Sequence, residues 1–152
     1  MQSSTAVLSE LRVAELLAAI GERTPAPASG AATAVTGALG AALAELAARY
    51  AGDEEGAARA HELALELVQL GDEDAVAYEA FMAERTEESH VEIIRIPQQI
   101  ASLADEVVAI ALRAADRLSS KVVGDAEAGA ELARAAARVA RGLAELNGAS
   151  TS

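Results

Sequence analysis

Apolar residues recur at helical spacing along almost the whole chain, and nowhere with the strict alternation of a half-buried strand. Leu8, Leu11, Leu16, Leu17 and Ile20 predict a short amphipathic helix from about Val7 to Gly21, suited to covering one end of a bundle. Pro25 and Pro27 then punctuate the chain, and Ser29 offers a hydroxyl to cap a helix that opens near Gly30 and runs to about Tyr50. This second helix is lean: Ala, Gly and Thr carry most of it, and no charge falls between Pro25 and Ala44. Other backbones can approach such a helix closely, and its first N–H groups can face a ligand without obstruction. It is the expected centre of the fold.

Gly52 or Asp53 is placed to cap a third helix, with Leu63, Leu67 and Leu70 along one face and Gly71 either ending it or absorbed in it. The stretch Asp72 to Arg85 stays helical and sets Asp74 and Tyr78 at i and i+4 on one face, with Phe81 following. After a polar joint at Thr86 to Ser89, a long helix from about His90 to Leu118 should be kinked by Pro97 and bury Ile100, Leu103, Val107 and Ile110. Asp125 is placed to cap a last Ala-rich helix, ending near Leu146, with Asn147 and Gly148 as its stop. The two lean helices should pack closely, with each other or across a dimer interface. These elements predict an all-α fold, one helical bundle over 1–152, with frayed ends at 1–5 and 149–152.

Composition sharpens this picture in a few places. With 52% apolar residues but only Tyr50, Tyr78 and Phe81 aromatic, the core must be built from Ala, Leu, Val and Ile. A formal charge of −12 argues against a nucleic-acid partner and against an anionic membrane surface. The absence of cysteine removes disulfides and thiolate chemistry and fits a cytoplasmic protein. The N-terminus lacks the basic start of a signal peptide. The uncharged run from Pro25 to Ala44 is almost long enough to span a bilayer, but its prolines and small residues favour a buried helix.

Candidate chemistry is sparse. His61 and His90 lie far apart with no HExxH spacing, and Glu87 to His90 supplies only one Glu-x-x-His pair, so no metal site is expected. Gly30, Gly37 and Gly40 follow prolines rather than a strand and do not form a dinucleotide fingerprint. Gly30 serves either close packing or a ligand at the helix start. Asp74 and Tyr78 place an acceptor and a donor together, which suits acid–base work or a polar ligand, or else a solvated acid beside a half-buried phenol.

Five segments in order resemble the cyclodeaminase/cyclohydrolase family of folate metabolism, related to the C-terminal half of formiminotransferase-cyclodeaminase. Pro25-Ala26-Pro27-Ala28-Ser29-Gly30-Ala31-Ala32 resembles the family's Pro-x-Pro-Gly-Gly-Gly-Ser start of an Ala-rich helix, and GALGAALAELAARY continues in the same style. LGDEDAVAYEAFM is similar to the Asp-x-x-Ala-Tyr helix, IPQQIASLADEVV to the kinked helix, and KVVGDAEAGAELARAAA to the segment with a Val-Ser-Asp-Ala start. Asn147 matches an asparagine near the last helix end. The departures are Ala28, Ser29 and Ala31 in place of Gly, Gly and Ser, Gly124 in place of the serine before Asp125, a missing Leu-Pro-Lys, and Leu143 at a second asparagine position.

The resemblance implies an all-helical homodimer acting on a tetrahydrofolate derivative, with no separate cofactor. The activity would be methenyltetrahydrofolate cyclohydrolase, weakly favoured by the missing formiminotransferase half, or formiminotetrahydrofolate cyclodeaminase. Catalytic roles would fall on Asp74, Tyr78 and Asp125, and substrate binding on Ser29, Gly30 and Asn147. Arg12, Arg23, Arg49 and Lys121 are candidates for the folate's carboxylated tail. The departures motivate an alternative, a dimeric helical relative that keeps the fold and binds or assembles without the chemistry.

Overall fold

The computed structural model describes residues 7–149, and every regular element among them is helical. A 3-10 turn at Leu8–Glu10 leads into α1 (Val13–Gly21), followed by α2 (Ser29–Tyr50), α3 (Glu54–Ala83), α4 (Glu87–Ala115) and α5 (Val123–Ala149). The expected frayed ends lie outside the described residues, apart from Ala149, which closes α5. Helices α2 to α5 run up and down in turn: Gly30 meets Asp74, Arg59 meets Glu106, and Asn147 meets Ile93. α2 packs against α3, α4 and α5 together and is the centre of the bundle.

Local chemistry sets the boundaries. Asp53 is the N-cap of α3 and accepts from the Gly56 N–H at 2.9 Å. Thr86 and Ser89 exchange hydrogen bonds in a capping box that starts α4 at Glu87, ahead of the expected His90. Gly71 is absorbed: α3 passes through it unbroken, and a methyl group there would press on Leu8 and Ala34. α4 likewise continues through Pro97.

The core is as lean as the composition implies. Leu63, Leu67, Ile96, Ile100 and Val107 are its largest fully buried residues besides Pro97, set among alanines of all four long helices. Each such aliphatic side chain contributes roughly 1.5–3 kcal/mol on burial. The lean helices do pack on one another: a Cβ on Gly40 would stand 2.9 Å from the Gly129 carbonyl, and one on Gly129 3.0 Å from the Gly40 carbonyl. α2 is long and apolar enough to cross a membrane, yet 56% of its apolar window is buried inside the bundle.

The first helix departs from expectation. The chain breaks at Leu11 and Arg12, Leu8 alone is buried, and α1 buries none of its residues. It covers no end of the bundle in the single chain.

Candidate active site

One end of the bundle gathers the candidate chemistry. The segment entering α2, the second half of α3, Pro97 of α4 and the last turn of α5 enclose a cavity of about 200 Å³. Asp74 and Tyr78 line it from α3, Ser29 and Gly30 from the start of α2, and Asn147 from α5, while Pro25 and Ala26 form one wall. Asp74 is seated directly on Gly30, where any Cβ would overlap its carboxyl group. Glycine is required there by close approach, and the same contact pins the carboxylate to the first turn of α2.

The electrostatics follow from that seat. Burial pushes the Asp74 pKa up to about 6 from 3.8, and among the described residues no cation beside it opposes the shift. The positive end of α2 acts in the other direction, because the first intrahelical bond runs from the Ala32 N–H to Ala28, and no side chain caps the N–H groups ahead of it. The site therefore holds a carboxyl group able to give and take a proton near neutral pH, a phenol one helical turn away, and uncapped backbone donors.

Asn147 is held by α4. Its Nδ2 donates to the Ile93 carbonyl at 2.7 Å, and the His90 Nε2 lies 2.9 Å from its own carbonyl oxygen. His90 in turn packs its ring against Phe81, with ring centroids 5.8 Å apart. The sequence marked His90 as an ordinary surface or partly buried imidazole rather than a metal ligand, and did not pair it with Asn147. The available signal was the end of α5, whose last four carbonyls, that of Asn147 among them, have no partner within the helix.

Five of the six expected site residues thus meet at one cavity, and Asp125 does not. It stands in the first turn of α5, with Asn147 in the last turn, so the two are on the order of 30 Å apart along the helix. Asp125 is not an N-cap either, since α5 begins at Val123. Ser29 is the first residue of α2 rather than its cap, that place being taken by Ala28. Asn147 is helical and not in a left-handed stop, for glycine alone among the described residues shows positive φ. Of the basic candidates, Arg49 pairs with Glu45 toward the far end of α2 and Lys121 sits in the far loop, while Arg23 lies on the segment that forms the cavity wall.

A wider groove of about 650 Å³ opens between α3 and α4, lined by Val76, Ala77, Ala80 and Ile96 together with Asp72, Glu73, Glu88 and Glu92. It is larger but poorer in chemistry: Glu73 and Glu92 share Arg95, and Asp72 accepts from the Leu8 N–H. The smaller cavity is the stronger candidate, because the perturbed carboxyl group and the helix start converge there.

Comparison with known proteins agrees with this architecture. The crystal structure of formiminotetrahydrofolate cyclodeaminase from Thermotoga maritima superposes with a TM-score of 0.84 at 22% identity, over 92% of this chain and 79% of that one, so the two share a fold. A search of curated protein sequences finds no match. The sequence model of formiminotransferase-cyclodeaminase matches residues 12–151, a span that takes in every helix from α1 to α5 and the whole cavity, and the chain belongs to that family.

Proposed function

We propose that the cavity binds a tetrahydrofolate derivative and that Asp74 moves protons in making or breaking a C–N bond at its one-carbon unit. The observation that carries this reading is the Asp74 carboxyl group, wedged on Gly30 with its pKa raised to about 6. A cyclodeaminase closes a protonated 5-formimino group: N10 attacks the formimino carbon, and the carboxylate takes the N10 proton. The same carboxyl group gives that proton to the departing nitrogen, the C–NH2 bond breaks, and ammonia leaves the methenyl cation. The charge on the one-carbon unit is +1 before and after, so one carboxyl poised near neutrality serves both transfers. The cyclohydrolase reaction, in which water adds to the methenyl carbon and the ring opens at nitrogen, uses the same carboxylate as base.

Both the family and the related fold bear cyclodeaminase names, which supports that direction first. In this reading Tyr78 orients the substrate as donor, the α2 start receives a carbonyl or carboxylate oxygen, and Arg23, on the segment leading to the Pro25 wall, takes the tail. The chemistry needs no cofactor beyond the folate itself.

The test follows the methenyl absorbance, which rises when formiminotetrahydrofolate is closed and falls when methenyltetrahydrofolate is hydrolysed. Catalysis in either direction above buffer supports the reading. Rates equal to buffer at high protein concentration, with binding heat still present, move the chain to the second reading, a folate-binding relative without the chemistry. Ala28, Ser29 and Ala31 at the α2 start favour that alternative, since no serine or threonine caps the helix there.

The assembly belonging to this reading is a homodimer. α1 buries none of its residues, and α2 presents Leu39, Leu46 and Tyr50 to solvent on one uncovered face. A second copy covering both surfaces would also brace the Pro25 and Ala26 wall, which follows directly on α1.

A further inference from the structure

Pro97 stands in the middle of the α4 sequence with no N–H to offer the carbonyl of Ile93, four residues before it. A buried helix carbonyl without a partner is costly, and here the partner comes from another helix: Asn147 Nδ2 donates to Ile93 at 2.7 Å. His90, one turn earlier on α4, holds the carbonyl oxygen of the same Asn147 at 2.9 Å. α4 therefore grips one residue of α5 at two points. Pro97 and Asn147 both line the cavity, so the residue that opens the helix ladder and the residue that fills the gap both border the candidate site. Nitrogen and oxygen of the amide are distinguished by this network, because an oxygen facing the Ile93 carbonyl would be repelled. The Oδ1 is thereby the end of the amide left for a ligand.

We propose that Pro97 is a positioning residue for ligand binding: by leaving the Ile93 carbonyl open it captures the Asn147 side-chain amide at the cavity, while His90 holds the backbone carbonyl of the same residue. Helix continuity is given up at one bond to orient a binding group on a neighbouring helix. The inference rests on the folate reading only for the identity of the ligand.

Pro97→Ala tests it, since alanine restores the N–H that competes for Ile93. Asn147 is the only asparagine in the chain, so selective 15N-asparagine labelling gives a single side-chain amide pair. In the wild type one proton of that pair should exchange slowly. In Pro97→Ala the pair should move to the position and exchange rate of a solvated amide, while the melting temperature holds or rises. KM for the folate should then rise about tenfold with kcat within about twofold, the scale of one lost positioned hydrogen bond. Adding Pro97→Ala to Asn147→Ala should raise KM no further than Asn147→Ala alone.

An unchanged amide pair in Pro97→Ala, or KM effects that add in the double variant, would overturn the proposal. Should Pro97→Ala not fold, His90→Ala reports on the same grip, with faster Asn147 exchange expected and an unaltered pair counting against it. A wild-type chain that neither binds nor converts any tetrahydrofolate derivative defeats the folate reading, and the amide spectrum still decides the anchoring.

Discussion

Asp74 carries two consequences that a solvated acid would not. Its carboxyl group releases a proton near 3.8 in the unfolded chain and near 6 in the folded one. Between those values the folded state binds more protons, so stability falls as pH rises from about 4 to about 6 and levels off above. The full cost of ionising the buried group is at most about 3 kcal/mol. Asp74→Asn should therefore be more stable than the wild type at pH 8, with the gap closing toward pH 4, as measured by denaturant unfolding at both values. The same variant should lose roughly 10²–10⁴-fold in turnover with its helical content intact. A gap independent of pH would mean that the carboxylate is hydrated in the folded chain. Gly30→Ala attacks the site from the other side, since its methyl group displaces the Asp74 carboxyl; comparable loss of turnover is expected, with stability lowered by about 1–3 kcal/mol. At this scale the sequence showed that Asp74 and Tyr78 share a face and that Gly30 starts a lean helix. It could not show that Asp74 lands on Gly30, because that contact is long-range, nor that Asp125 lies at the other end of the bundle.

The helices themselves were the most legible feature, since Ala, Gly and Leu at 3.6-residue spacing leave little alternative to an all-α bundle. Boundaries were read less well where side chains compete locally: Ser89 with Thr86 moved the start of α4, and α5 opened ahead of Asp125. Whether the two lean helices meet each other or a second copy was open in the sequence, and the Gly40 to Gly129 crossing answers it. That crossing makes a test against propensity. Alanine is the better helix former by about 1 kcal/mol, so Gly129→Ala at a surface position would stabilise. Here the added methyl meets the Gly40 carbonyl, a backbone atom that cannot swing aside, and a net loss of about 1–3 kcal/mol is expected by thermal or denaturant unfolding. Gly142→Ala, where nothing lies within contact distance, is the control, with little loss or a small gain. Equal responses at both positions would show that α2 and α5 can move apart.

The whole molecule poses a problem that one chain does not solve. A nine-residue helix is marginal by itself in water, yet α1 leaves Val13 74% and Leu17 65% exposed and draws almost no support from the bundle. α2 adds Leu39 at 57% and Tyr50 at 64% exposed on its uncovered face, beside Leu46. Each chain carries a formal charge of −12, so two copies repel one another except where they meet on uncharged surface, and the outer face of α2 is uncharged from Ser29 to Ala44. If that face joins two copies, sedimentation should give a dimer whose dissociation constant falls as salt rises, because screening weakens the repulsion while leaving the apolar contact intact. Leu39→Glu should break it to monomer without unfolding the bundle, since Leu39 contributes nothing to the core of its own chain. Loss of turnover on dissociation would then trace to the Pro25 and Ala26 wall, held through α1, and turnover restored at high protein concentration would separate that cause from damage to Asp74. A wild type that stays monomeric at high concentration and high salt would leave α1 without a partner of its own kind and defeat the dimer.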